Sequence, residues 1–150
     1  MKKIILLTLT TILSSAVYAE DNAPTTNELL GKWNFDTATT QMPKQCTKSY
    51  MNFVDDSKML GSDGARTFEV KYTLEKSEKG YTMTTTEVSN DGKPNCIGMD
   101  MPRTDKPLTD TVFFTLSEDK ESITFHRGPQ YNFTYKKEKA EPATETQGSM

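Results

Sequence analysis

Arg66-Thr67-Phe68-Glu69-Val70-Lys71-Tyr72-Thr73-Leu74-Glu75-Lys76 decides the fold class. Phe68, Val70, Tyr72 and Leu74 alternate with Thr67, Glu69, Lys71, Thr73 and Glu75. A period of two places successive side chains on opposite faces of an extended chain, so this is a strand with one apolar and one wet face. Ser77-Glu78-Lys79-Gly80 follows as a hairpin turn, and residues 81–89 return as a second strand. There Tyr81, Met83 and Thr85 oppose Thr82, Thr84, Thr86 and Val88, whose branched Cβ atoms favour extended backbone.

The pattern repeats on both sides of this hairpin. Upstream, Trp33 and Phe35 alternate with Lys32, Asn34 and Asp36. Residues 46–54 read as a strand with Thr47, Ser49, Met51 and Phe53 on one face, Asp55-Asp56-Ser57 turns it, and residues 58–61 form a short strand before Ser62-Asp63-Gly64 turns again. Downstream, residues 90–94 carry turn chemistry and residues 95–106 form a long loop without periodicity. Strands follow at 111–116, at 122–127 with Ile123 and Phe125 inward, and at 131–135 with Tyr131, Phe133 and Tyr135 inward. Eight short strands at turn-marked spacing, with no helix longer than one turn near Asn27-Glu28-Leu29-Leu30, describe an antiparallel meander. Closing it removes two exposed edges. The expected fold is all-β: a single eight-stranded antiparallel up-and-down barrel, its interior filled by side chains or holding one small ligand.

The chain has 150 residues. Its start, Met1-Lys2-Lys3, then an apolar run from Ile4 to Leu13, then Ser14 to Ala19 ending on small residues, has the three regions of a secretory signal peptide. The apolar run is shorter than the roughly 20 residues a spanning helix needs. The expected division is therefore a signal peptide over 1–19, a leader over 20–27, a barrel over 28–136 and a disordered tail over 137–150, with the mature protein periplasmic or secreted. Removing residues 1–19 takes away Lys2 and Lys3 and no acid, so 18 basic and 21 acidic residues become 16 and 21, a net charge of −5. That balance argues against nucleic acid as a partner. Two cysteines, Cys46 and Cys96, both lie in the exported part and read as one disulfide. It closes a loop of about 50 residues, worth roughly 4 kcal/mol if chain entropy dominates.

Leu30-Gly31-Lys32-Trp33 at the entry to the first strand resembles the Gly-x-Trp motif of the lipocalin or calycin superfamily, in particular its short exported bacterial members. The resemblance covers about 28–136. It implies that Gly31 and Trp33 close one end of the barrel and that a late arginine, matched here by Arg127, packs across the tryptophan. A second family motif, Thr-Asp-Tyr, is matched only in part by Thr109-Asp110-Thr111. Small periplasmic inhibitors of secreted metalloproteases also resemble this chain; their free N-terminal arm would correspond to residues 20–26, although their disulfide closes a shorter loop.

Catalytic chemistry has few carriers. The single histidine, His126, alternates outward with Thr124, and no nucleophile elbow, zinc-protease or phosphate-loop motif is present. Cys96-Ile97-Gly98-Met99-Asp100-Met101 has the soft ligands of a copper(I) site, but methionine also fills barrel interiors. Asp55, Asp56 and Asp63 lack the spacing of a calcium loop. The expectation is a non-enzymatic, monomeric binding protein without metal or cofactor. Its partner is a small apolar or amphipathic ligand, lined by Phe68, Tyr72, Tyr81, Met83, Phe114 and Tyr131, or alternatively a protein.

Overall fold

The computed structural model describes residues 28–39, 41–100 and 107–141. The expected signal peptide and leader, and residues 142–150 of the expected tail, lie outside the described residues. Eight strands follow one another: β1 (Gly31–Phe35), β2 (Tyr50–Phe53), β3 (Lys58–Ser62), β4 (Thr67–Ser77), β5 (Gly80–Asn90), β6 (Thr109–Leu116), β7 (Ser122–His126) and β8 (Asn132–Lys137). Each pairs antiparallel with its neighbours and β8 returns to β1, so the sheet is a closed up-and-down barrel. No helix among the described residues is long and apolar enough to cross a membrane.

Several element boundaries differ from the sequence expectation, and those of β2 and β8 have a structural consequence. β2 begins at Tyr50, not at residue 46, because Lys44–Cys46 is a turn of 3-10 helix whose carbonyls accept the N–H groups of Thr47 and Ser49. Cys46 is buried in that turn and bonded to Cys96. β8 runs through Lys137, and Glu138 N–H still bonds to Lys32 O, so the last strand extends past the expected end of the barrel.

The core follows the alternation. Trp33, Phe53, Phe114 and Ile123 are fully buried, with Tyr72, Met83 and Phe125 close behind. β4 and β5, eleven residues each, are joined by ten residue pairs, and their register steps between Val70↔Glu87 and Glu69↔Ser89. Val88 is the extra residue of this bulge and points to solvent. A bulge of this kind bends the strand and re-aims the residues beyond it.

One end of the barrel is sealed. Trp33 Nε1 donates to Leu29 O at 2.8 Å, and Leu29 is itself fully buried beneath the short turn that precedes β1. The cation over the indole is Lys137, with Nζ 5.3 Å from the ring centroid. The same ammonium donates to Glu28 O at 3.1 Å, and Lys120 pairs with the Glu28 carboxylate. Arg127 does not take this role: it lies on the far side of the barrel, half exposed and paired with Asp110. Register explains the difference, because Lys137 pairs directly with Trp33 across the β1–β8 seam. Tyr72 closes the same end, its ring edge-on to Phe53 at 5.3 Å and its hydroxyl donating to Asp55 O at 2.6 Å. Burial, followed by the nearby Asp55 and Asp56 carboxylates, pushes the Tyr72 phenol up to about 12. Trp33→Ala is expected to cost about 3–5 kcal/mol, read as a large drop in the chemical-denaturation midpoint, whereas Lys137→Met costs about 0.5–1 kcal/mol from the lost cation–ring attraction.

Candidate functional site

Among the described residues, the opposite end is open. It leads into a cavity of about 380 Å³ inside the barrel, within the roughly 300–1,000 Å³ of small-molecule sites. Its inner wall is apolar: Met51, Met59, Val70, Met83, Val112 and Phe125. Its mouth is a ring of polar side chains: Ser49, Asp63, Arg66, Glu87, Asp110 and Arg127.

Phe68, on the cavity wall, packs where a neighbouring side chain is missing. Gly61 pairs with Phe68 across β3 and β4, and a Cβ on Gly61 would lie 2.5 Å from the phenyl ring. The ring instead occupies that gap at the edge of the cavity. Tyr135 forms the facing wall, edge-on to Phe35 at 5.5 Å and to Phe125 at 5.8 Å, with its hydroxyl 2.9 Å from Ser49 Oγ. Burial, the dominant cause, raises the Tyr135 phenol above its ordinary value, so it stands neutral in the wall.

The mouth is electrostatically paired. Arg66 Nη2 donates to Glu87 Oε2 at 3.1 Å, and Glu87 Oε1 accepts from Asn90 Nδ2. Arg127 Nη2 donates to Asp110 Oδ2 at 2.6 Å. Asp63 Oδ1 accepts the backbone N–H groups of Ala65 and Arg66, tightening the turn between β3 and β4. Arg66 is 7 % exposed, while Arg127 is open to solvent. The guanidinium carbon of Arg66 lies 5.6 Å from the Phe68 ring centroid.

The disulfide supports this mouth from outside. Gly64 has φ +107° and sits under the Cys46 turn, where a Cβ would come within 2.3 Å of Gln45 O and 3.2 Å of Cys46 Cα. Cys46 is tied to Cys96 on the β5–β6 connection. Three loops at the open end are therefore held together, and the turn carrying Arg66 is one of them.

Of the residues expected to line a ligand, Phe68 and Met83 border the cavity. Tyr72 belongs to the sealed half. So do Tyr81 and Phe114, whose rings stack on one another at 5.3 Å within the core. Tyr131 precedes β8 and is 65 % exposed, because the sheet has ended and no neighbour covers it. The polar mouth was missed, although its signal was present. Ser49, Arg66, Glu87, Asp110 and Arg127 each continue the inward phase of their strand one step beyond another inward residue: Met51, Phe68, Thr85, Val112 and Phe125. In the sequence, Ser49 reads on the face of Met51 and Phe53, but Arg66, Glu87 and Asp110 carry no expected ligand-facing role, and Arg127 carries only that of covering Trp33.

Other chemistry-bearing groups sit elsewhere. His126 lies on the outer face, with Nδ1 3.0 Å from Asn132 Oδ1 and Nε2 3.0 Å from Thr115 Oγ1. Among the described residues, no three His, Cys, Asp or Glu side chains converge as a metal site. Met99 is exposed on the β5–β6 connection, and Met101 lies outside the described residues. No family model, curated protein or solved structure matches the chain.

Gly64→Ala is expected to destabilise the protein by about 1–3 kcal/mol, since it combines a strained backbone with a backbone contact that cannot yield. The thermal midpoint of the oxidised protein should fall, and Gly98→Ala, at a position whose Cβ meets nothing within 4 Å, should cost less.

Proposed function

We propose that this chain is an exported, non-catalytic carrier of a small amphipathic molecule, a lipocalin-like barrel that takes its ligand into the open end. The observation carrying this reading is the cavity, with apolar walls at depth and a ring of polar groups at the mouth. Such a gradient suits a molecule with an apolar body and a polar end. The sealed end supports it, because the plug at Trp33 leaves one route of entry. The resemblance of Gly31-Lys32-Trp33 to the lipocalin motif supports it too, and Lys137 over the indole does what the family's late arginine is expected to do. Export is supported by the signal-like start and by the Cys46–Cys96 bond, since disulfides persist in oxidising compartments.

Native mass spectrometry of the exported protein tests this reading: a bound small molecule should survive gentle desolvation. Thr85→Trp, on the cavity wall, should fill the space and reduce that binding at least tenfold while the far-ultraviolet dichroism stays that of a sheet. A Thr85→Trp protein that binds as well as the parent would place the ligand elsewhere.

A second reading, a protein-interaction module, draws on Ile97 and Met99. Both are apolar and more than half exposed on the disulfide-tethered connection. Under it, the double substitution Ile97→Asp and Met99→Asp abolishes capture of a protein partner, and Thr85→Trp does not.

A further inference from the structure

We infer that the ligand carries an anionic end group and that Arg66 is the side chain that receives it. The inference rests on the cavity reading above and adds the chemical class of the ligand. Among the described residues, the buried side-chain polar atoms without a hydrogen-bond partner are Nε and Nη1, both of Arg66. The residue is 7 % exposed and borders the cavity. A guanidinium has five N–H donors, and Glu87 takes only Nη2. A buried donor left unpaired carries an uncompensated desolvation cost. The other buried side-chain nitrogens and oxygens of the described residues have partners, so this one stands out as an unfilled position.

The chemistry that fills it is an acceptor, and a charged one fits best. Hydrogen bonds from a guanidinium to a carboxylate are roughly twice as strong as neutral ones and frequently bidentate. The acids at the mouth are already engaged and do not compete for these nitrogens: Glu87 with Arg66 Nη2 and Asn90, Asp110 with Arg127, Asp63 with its own turn. A cationic ligand would instead meet carboxylates whose partners it must first displace.

Access requires one movement. Nε and Nη1 are closed off from solvent, and the Phe68 ring lies over the guanidinium. The ring is only half-buried and packs into the gap above Gly61. It swings aside as the head group arrives, while the ligand's chain takes the apolar space toward Met83. At the roughly 30 Å³ that a water occupies in liquid, a cavity of about 380 Å³ holds on the order of a dozen heavy atoms. That is the size of a medium-chain alkyl carboxylate.

The test compares three matched series on the oxidised mature protein by calorimetric titration: alkyl carboxylates from octanoate to dodecanoate, the alkanols of the same lengths, and the alkyltrimethylammonium ions. Carboxylates should bind at least tenfold more tightly than the alkanols of equal length, with the ammonium ions weakest. Arg66→Gln should shrink the carboxylate-to-alkanol ratio to within threefold and leave alkanol affinity nearly unchanged. Equal affinity of acids and alkanols for the parent protein overturns the anionic assignment and leaves the cavity reading standing. A carboxylate preference that survives Arg66→Gln overturns the role of Arg66. Absence of binding by all three series overturns both readings. If Arg66→Gln does not fold, the parent's series still decides the ligand class. The Nε–H resonance of Arg66 then decides the residue: it should shift with octanoate and stay fixed with octanol, and a resonance fixed in both overturns the assignment.

Discussion

Closure of β1 on β8 is the constraint on which the rest depends. The seam is short: Trp33, Asn34 and Phe35 face Lys137, Lys136 and Tyr135. Without it, eight twisted strands would present two open edges and divide the core between two half-covered faces. With it, every inward side chain meets others across a small interior. Trp33 stands in the seam, and its three restraints reach in three directions: the indole N–H to Leu29, the ring face to Lys137, and the strand pairing to Met51 on β2. The plug and the closure are one arrangement, which is why a residue at the end of β8 supplies the covering cation.

The asymmetry of the barrel follows. In the sealed half Phe53 meets Tyr72 and Tyr81 meets Phe114, with no cavity between them. In the open half, Met51, Met59, Met83, Val70 and Val112 share the cavity wall with Phe68, Phe125, Phe133 and Tyr135. Dense packing at one end lets the other tolerate empty space, since a cavity costs stability that the core must supply. The disulfide acts on that weaker end. It joins the Cys46 turn to the β5–β6 connection, and Gly64 brings the β3–β4 turn against the same turn.

The strand pattern was legible from local alternation. Period two in residues 66–76, and weaker versions of it elsewhere, led to eight antiparallel strands, and the pairing of Cys46 with Cys96 followed from their number and the compartment. The misplacements share a physical cause: they depend on where neighbouring strands end. Cys46 looks extended in sequence but is coiled by the 3-10 turn that the disulfide anchors. Tyr131 is in phase with Phe133 and Tyr135, yet it falls beyond the sheet. Lys137 reads as the start of a charged tail, while its stem packs beside Trp33 as long basic side chains do. Arg66 and Glu87 are in phase with the interior, and burying them is acceptable only because strands 21 residues apart in sequence bring them together. No local pattern reports that pairing.

The central claim is that the open half of the barrel, not its surface, holds the ligand. Methionine methyl resonances test it most directly. Met51, Met59 and Met83 border the cavity, and Met99 lies exposed on the β5–β6 connection. With the methionine methyls labelled, addition of an amphipathic ligand should shift the first three and produce contacts from its alkyl chain to them. Shifts confined to Met99, with the three interior methyls unmoved, would contradict the account.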